Sequence, residues 1–226
     1  MIGFLSGFVG RLNSAYTECS HFTQLKARLL AAITALILVW IPVNALKVWW
    51  YGLAYLEWRL AVNLAVMVVA VWTLQQILAG RLQRAGNGMA VALIAISHAL
   101  LFLVPSFPEP LSVAVQLLAF DVVFLLLAVV FASRAVAVGI LAVVVVGQVW
   151  FHLYAFHPKW VDGPIGLAAD TLLRDGVFAT VFVFILAITI VEMMAVANRN
   201  SEKALKASRD AKNNLETLVA ERTRAL

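Results

Sequence analysis

Charge is scarce in this chain. Asp, Glu, Lys and Arg make up 13% of its 226 residues, whereas 63% are hydrophobic. At a mean hydropathy of +0.94 there is too little polar surface to close around a water-soluble core, so the composition selects a polytopic helical membrane protein. Cysteine is nearly missing: the single Cys19 excludes an internal disulfide and a thiolate metal cluster. Internal repeats and low-complexity tracts are absent. So are the His-Glu-x-x-His, Gly-x-Ser-x-Gly and phosphate-loop patterns, which leaves no readable enzyme active site. No basic residue precedes the apolar start of the chain, so a cleaved signal peptide is not expected. The net charge of +5 does not imply nucleic acid, because the basic residues flank apolar runs or gather at the C-terminal end.

What is present is a series of apolar runs. They predict an all-α fold with membrane spans at about 28–48, 57–80, 89–105, 111–132, 134–155 and 177–197. The expected organisation is a lead-in over 1–27, a six-helix membrane domain over 28–197 and a helical rod over 198–226. In the lead-in, Ile2, Phe4, Leu5, Phe8, Val9, Leu12 and Tyr16 share one helical face, which reads as an amphipathic helix lying along the membrane. Arg11, Lys26, Arg28, Arg81, Arg84, Arg134 and the basic rod fall on one side, against Lys47, Arg59, Lys159 and Arg174 on the other. The positive-inside rule then puts both termini in the cytoplasm of a bacterial inner membrane. Trp49, Trp50, Trp58, Trp150 and Trp160 gather at the outer interface, and the longest outer loop, 156–176, contains a short amphipathic piece able to act as a lid.

Polar residues inside the spans are the candidate functional positions, because burying them in hydrocarbon costs several kcal/mol unless they are paired or meet water. At ~1.5 Å per residue, Asn44, Asn63 and Thr180 lie about 5 Å below the outer edge, and His98, Gln116 and Gln148 about 8–10 Å below it. Asp121 reaches roughly the midplane, about 15 Å down. These residues predict an outer-half ligand cavity floored by Asp121, with His98 or Arg59 as the carboxylate's partner. Either pairing makes Asp121 a structural pin, a ligand contact or a pH-sensitive element. Glu192, near the inner end of the last span, is expected to pair with Arg134, Arg81 or Arg84 and to latch that helix. His152 and His157, with Asp162 beyond, are the nearest approach to a metal set, but Pro158 interrupts them. Neither a metal nor a cofactor is expected.

The last span continues into the rod without an intervening Pro or Gly. A 3-4-3-4 spacing joins Ala204, Ser208, Ala211, Leu215, Leu218 and Arg222, and Leu205, Lys212, Val219 and Leu226 keep the same period beside it. That period describes a dimeric coiled coil, and its Ala, Ser and Arg make it a weak one. Its end, Leu215-Glu-Thr-Leu-Val-Ala-Glu-Arg-Thr-Arg-Ala-Leu226, resembles the linker that precedes the dimerisation helix of bacterial sensor histidine kinases. With neither a phosphoacceptor His nor an ATP-binding motif in the chain, the resemblance implies the input half of a longer protein. The layout also resembles the six-helix receptor modules of quorum-sensing hybrid kinases. Ile41-Pro-Val-Asn-Ala-Leu-Lys-Val-Trp-Trp-Tyr-Gly-Leu-Ala-Tyr-Leu-Glu-Trp-Arg59 carries their first-span Pro, aromatic outer loop and Arg. The membrane modules of class III adenylyl cyclases and of some diguanylate cyclases are similar in plan. The function implied is a receptor for a small hydrophobic or amphiphilic signal, acting as a homodimer among membrane lipids on a cytoplasmic effector. A membrane module of a cyclase and a small-molecule transporter are the alternatives; a transporter would show repeats or broken helices.

Overall fold

A computed structural model describes residues 2–51, 56–103, 110–156 and 164–224. The expectations placed on His157, Asp162 and the side chain of Gln116 fall outside that described set. Helices account for nearly all of the rest: α1 (Ile2–Ala15), α2 (His21–Trp50), α3 (Leu56–Leu78), α4 (Leu82–Leu103), α5 (Pro110–Phe131), α6 (Arg134–Trp150) with a π-helical turn over Phe151–Phe156, and α7 (Pro164–Arg224). No strand occurs among the described residues. The fold is all-α.

Local chemistry fixes the helix ends. Ser20 caps α2, its hydroxyl accepting from the Thr23 amide at 3.3 Å, so the helix starts ahead of its apolar run. Ser133 caps α6 in the same way, accepting from Val136 N at 3.4 Å. Gly80 ends α3 at φ 75°, where its own amide bonds Ile77 O at 3.0 Å and the Arg81 amide bonds Gln76 O at 2.9 Å. Those two bonds form a Schellman cap, and the left-handed backbone is why glycine stands there. At the far end, the amphipathic piece expected as a separate lid belongs to α7, which runs from Pro164 through Gly176 with no break.

Among the described residues, four stretches are long and apolar enough to cross a membrane: His21–Trp50, Leu56–Leu78, Arg134–Leu153 and Arg174–Thr217. Leu117–Phe131 is a shorter apolar helix. In α4 the polar Gln83, Arg84, Asn87, Ser97 and His98 dilute the apolar run. The distribution of polarity supports a lipid environment. Thr34, Thr73, His98, Asp121, Gln148 and Thr180 are buried, while Leu36, Val39, Trp40, Val68, Val146, Phe178 and Phe182 point outward. In water that arrangement would expose far more contiguous apolar surface than a soluble monomer tolerates.

The chain separates into two compact units, Met1–Ile188 and Thr189–Leu226. In the first, each helix from α2 to α6 packs on the next, α4 also meets α6, α2 meets α5, and α1 rests on α2 and α3. Small residues bring the backbones together: Ala27, Ala31, Ala70, Ala85, Ala90, Ala128 and Ala137 are all buried. Gly86 faces the Phe131 backbone with no room for a methyl group, and Gly88 does the same against the Trp72 ring. Asn87 Oδ1 accepts from the Ser133 amide at 2.7 Å and from Gln83 Nε2 at 3.0 Å, fastening the α5–α6 turn to α4. The α1 helix has the amphipathic face expected of it, but Leu12 and Tyr16 are buried against protein, in one cluster with Ala27, Leu30 and Ile77. Tyr16 donates its hydroxyl to Ile77 O at 2.9 Å. Burial, with the Cys19 thiol adding to it, raises the phenol above its usual range, so it stays a hydrogen donor at neutral pH. The second unit is the remainder of α7. Its described side chains from 199 to 217 are exposed, and Lys212 lies 3.7 Å from Glu216 one turn on.

Glycine contacts give a paired test of this packing. Gly86→Ala should cost about 1–3 kcal/mol, since neither backbone can yield freely. Gly139→Ala, on α6 with nothing within 4 Å of the added carbon, should be neutral or stabilise by up to ~1 kcal/mol. Thermal unfolding in detergent separates them; equal midpoints would mean that α4 and α5 are not in close register.

Candidate functional site

Three helices each contribute one polar side chain to an enclosed cluster. Asp121 of α5 is completely buried, Gln148 of α6 is 1% exposed and His98 of α4 is 6% exposed. Gln148 Nε2 donates to Asp121 Oδ2 at 2.9 Å. His98 Nε2 stands 3.7 Å from Asp121 Oδ1. The two partner helices meet here because α4 packs on α6, and Gly147 makes the approach possible. A Cβ on Gly147 would lie 2.6 Å from His98 Cδ2 and 2.7 Å from Nε2, closer than a side chain permits.

The protonation of the cluster follows from its geometry. His98 Nδ1 lies 3.1 Å from Ile94 O and 3.2 Å from Ser97 Oγ. A carbonyl only accepts, so Nδ1 carries a hydrogen. Ser97 already donates its own hydrogen to Ile94 O at 3.0 Å. Nε2 is therefore the nitrogen left for Asp121. Two arrangements suit the pair: imidazolium with carboxylate, or neutral imidazole with carboxylic acid. Each is neutral overall and each holds one proton for the two facing atoms, as an apolar setting demands. His98 Nε2, Asp121 Oδ1 and Gln148 Oε1 are buried without a hydrogen bond. Closing the 3.7 Å gap would satisfy the first two, and Gln148 Oε1 would still need a donor.

Of the other residues expected to line a ligand cavity, Asn44 and Asn63 form a second pair. Asn44 Nδ2 donates to Asn63 Oδ1 at 3.0 Å, joining α2 to α3, and Asn63 Nδ2 donates to the Arg59 carbonyl at 2.8 Å. The Arg59 side chain is exposed, and the position facing Asp121 is taken by His98. Glu192 and Arg134, expected to latch the last helix, are both exposed. Thr180 is buried on α7 and donates to Gly176 O of its own helix at 2.7 Å. Asp121 itself has no exposed surface. Sequence reasoning passed over Gly147 and Ser97. Each is a small residue directly beside a polar one in an apolar helix, and that adjacency is the signal that marks them. It also passed over Thr34 and Thr73, buried between α2, α3 and α4; Thr34 donates to Leu30 O at 2.7 Å and lies 3.9 Å from Met89 Sδ.

No family model, characterised protein or solved structure matches the chain.

The cluster predicts a graded mutational series. Asp121→Ala removes the shared partner of two helices and should cost on the order of 3–5 kcal/mol. Asp121→Asn can still accept from Gln148 and donate to His98 Nε2, so it should cost much less. It removes one of two coupled titrating groups, however, and the pH profile of thermal unfolding should change shape. If native protein and Asp121→Asn give superimposable profiles and midpoints, Asp121 is ordinary inter-helix packing.

Proposed function

We propose that this chain is the membrane input module of a sensor histidine kinase in a bacterial inner membrane. Helices α2 to α7 supply six spans, and both termini lie in the cytoplasm. A small hydrophobic or amphiphilic signal is received among the polar residues of the spans, with Asp121, His98 and Gln148 as the polar contacts. Binding shifts α7, and the shift passes into a parallel coiled coil formed with a second copy, and from there to the effector.

The observation that carries this reading is α7 itself, one helix from Pro164 to Arg224 in which an apolar segment is followed by a charged one. A helix that only anchored the chain would have no need of a further seven turns. Along the charged part, Leu205, Leu215 and Val219 are more than half exposed. Leu205 and Val219 lie two heptads apart, and Leu215 lies one turn before Val219, so they repeat at the coiled-coil period. A second α7 is the partner whose chemistry fits that stripe. The closing Glu-Arg-Thr-x-x-Leu segment, resembling the kinase linker, favours a kinase over a cyclase as effector.

Phase is the property to test. Two residues inserted between Ala197 and Leu205 turn the seam by about 200°, at ~100° per residue. Seven residues add one heptad and nearly restore it. With the native effector attached, output should be lost or locked by the first insertion and largely kept by the second. Equal output from both would end the idea of a phased signalling helix.

A further inference from the structure

At the junction of α1 and α2 the surface opens into a cleft of about 250 Å³ lined by Leu12, Asn13, Tyr16, Thr17, Gln24 and Arg28. At ~30 Å³ per water it has room for about eight, enough for a phosphate group with its ester carbons. Nearly every polar group on its wall is positioned by another contact. Asn13 Oδ1 accepts from Arg28 Nη2 at 3.0 Å. Thr17 donates to Asn13 O at 2.9 Å, Tyr16 donates to Ile77 O at 2.9 Å, and Gln24 Nε2 donates to Cys19 O at 3.1 Å. Arg28 is thereby oriented through one of its five N–H groups, and among the described residues it has no carboxylate partner. The remaining guanidinium N–H groups and the Asn13 amide are the donors available to a ligand.

The surroundings define that ligand's charge and its tail. Glu18 is the only acidic residue before Leu56, against Arg11, Lys26 and Arg28 in the first 28 residues. The α3–α4 turn meets the end of α1, since a Cβ on Gly80 would lie 3.5 Å from Ala15 O. Arg81 and Arg84 follow directly on that turn, both exposed. The field at this end of the bundle is positive. Beside the cleft the surface becomes hydrocarbon: Val9, Leu25 and Leu29 are each about half exposed, and Leu12 forms the apolar wall. Free phosphate has no use for that side. A phosphate carrying acyl chains matches both, with its ester oxygens on the planar fork of Arg28 and its chains along Leu25 and Leu29.

We infer that the cleft between α1 and α2 is a binding site for the phosphate headgroup of an anionic lipid, with Arg28 as the principal phosphate contact and Asn13 holding it in position. Basic pockets at the edge of a helix bundle are suited to such headgroups. Occupancy would pin α1 to α2, and through Tyr16 to the end of α3. This site depends on the chain lying in a membrane and not on the receptor reading, so either can fail alone.

The test uses the full chain in zwitterionic phosphatidylcholine nanodiscs, with phosphatidylglycerol added in steps and the thermal midpoint measured. Phosphatidylglycerol should raise the midpoint saturably. Arg28→Gln should remove at least half of that rise, and Arg28→Lys should restore part of it. Gln24→Glu, which keeps Arg28 but puts a negative charge one turn from it to compete for its guanidinium, should remove it too and carries the test if Arg28→Gln does not fold. Arg199→Gln, on the rod, should leave it intact. An equal rise with inorganic phosphate in phosphatidylcholine would overturn the lipid assignment. A phosphatidylglycerol response unchanged in Gln24→Glu and in every foldable Arg28 variant would overturn the site.

Discussion

A carboxyl group surrounded by hydrocarbon must find its partners within the chain, and Asp121 finds them on two other helices. Water cannot relieve it, because none of its surface is exposed. The amide of Gln148 and the ring of His98 therefore have to arrive at fixed places, and the helices that carry them have to arrive as well. In the membrane the hydrophobic effect does not sort one apolar helix face from another, since lipid tails solvate all of them equally. Polar groups that are costly to leave unpaired make that choice, and here they specify the mutual register of α4, α5 and α6.

Close approach is the second condition. The hydrogen bond between Gln148 and Asp121 needs short interhelical distances, which large side chains would prevent. Gly147 clears the space taken by the His98 ring, and Gly86 lets α4 touch the Phe131 backbone. The Asn87 carbonyl group then holds the Ser133 amide at the turn into α6. One helix thus carries two kinds of fastening: Gly86 and Asn87 near its start, His98 near its end. Moving α4 would disturb the Asp121 cluster and the α5–α6 turn together.

Much of the helical layout was legible because apolar runs and polar breaks alternate so plainly along the chain. The class of each element follows from length and hydropathy alone. Its ends do not, because they depend on single residues: Ser20 starts α2 seven residues ahead of the run expected at 28, and Gly80 closes α3 at Leu78, two residues short of the expected 80. Depth counting brought His98 and Gln148 to the neighbourhood of Asp121, but residues on adjacent helices touch only if they also face one another. Facing is set by rotation about each axis, and an evenly apolar helix such as α5 carries almost no record of it in its sequence. For the same reason the chemistry of His98 could be foreseen, while the alternative partner, Arg59, could be set aside only with coordinates. The burial of Leu12 and Tyr16 against protein was equally hidden, because an apolar face reads the same whether it meets lipid or a neighbouring helix.

The helices of the bundle are restrained in two different ways. Between α4, α5 and α6 the link is polar: Asp121 receives a hydrogen from one helix and faces a ring nitrogen of another. On α7, within the first unit, Gly176, Thr180 and Phe184 form a buried face at four-residue intervals, with Gly176 set against Leu118 of α5. Thr180, at the centre of that face, donates to its own helix at Gly176, so at this point α7 is held by shape. Shape resists rotation, because turning the helix would carry the outward Phe178 or Phe182 into the space that Gly176 and Thr180 fill. In the proposed receptor, the helix that must transmit a displacement is therefore held by the shape of one buried face, while the polar cluster keeps α4, α5 and α6 in fixed register.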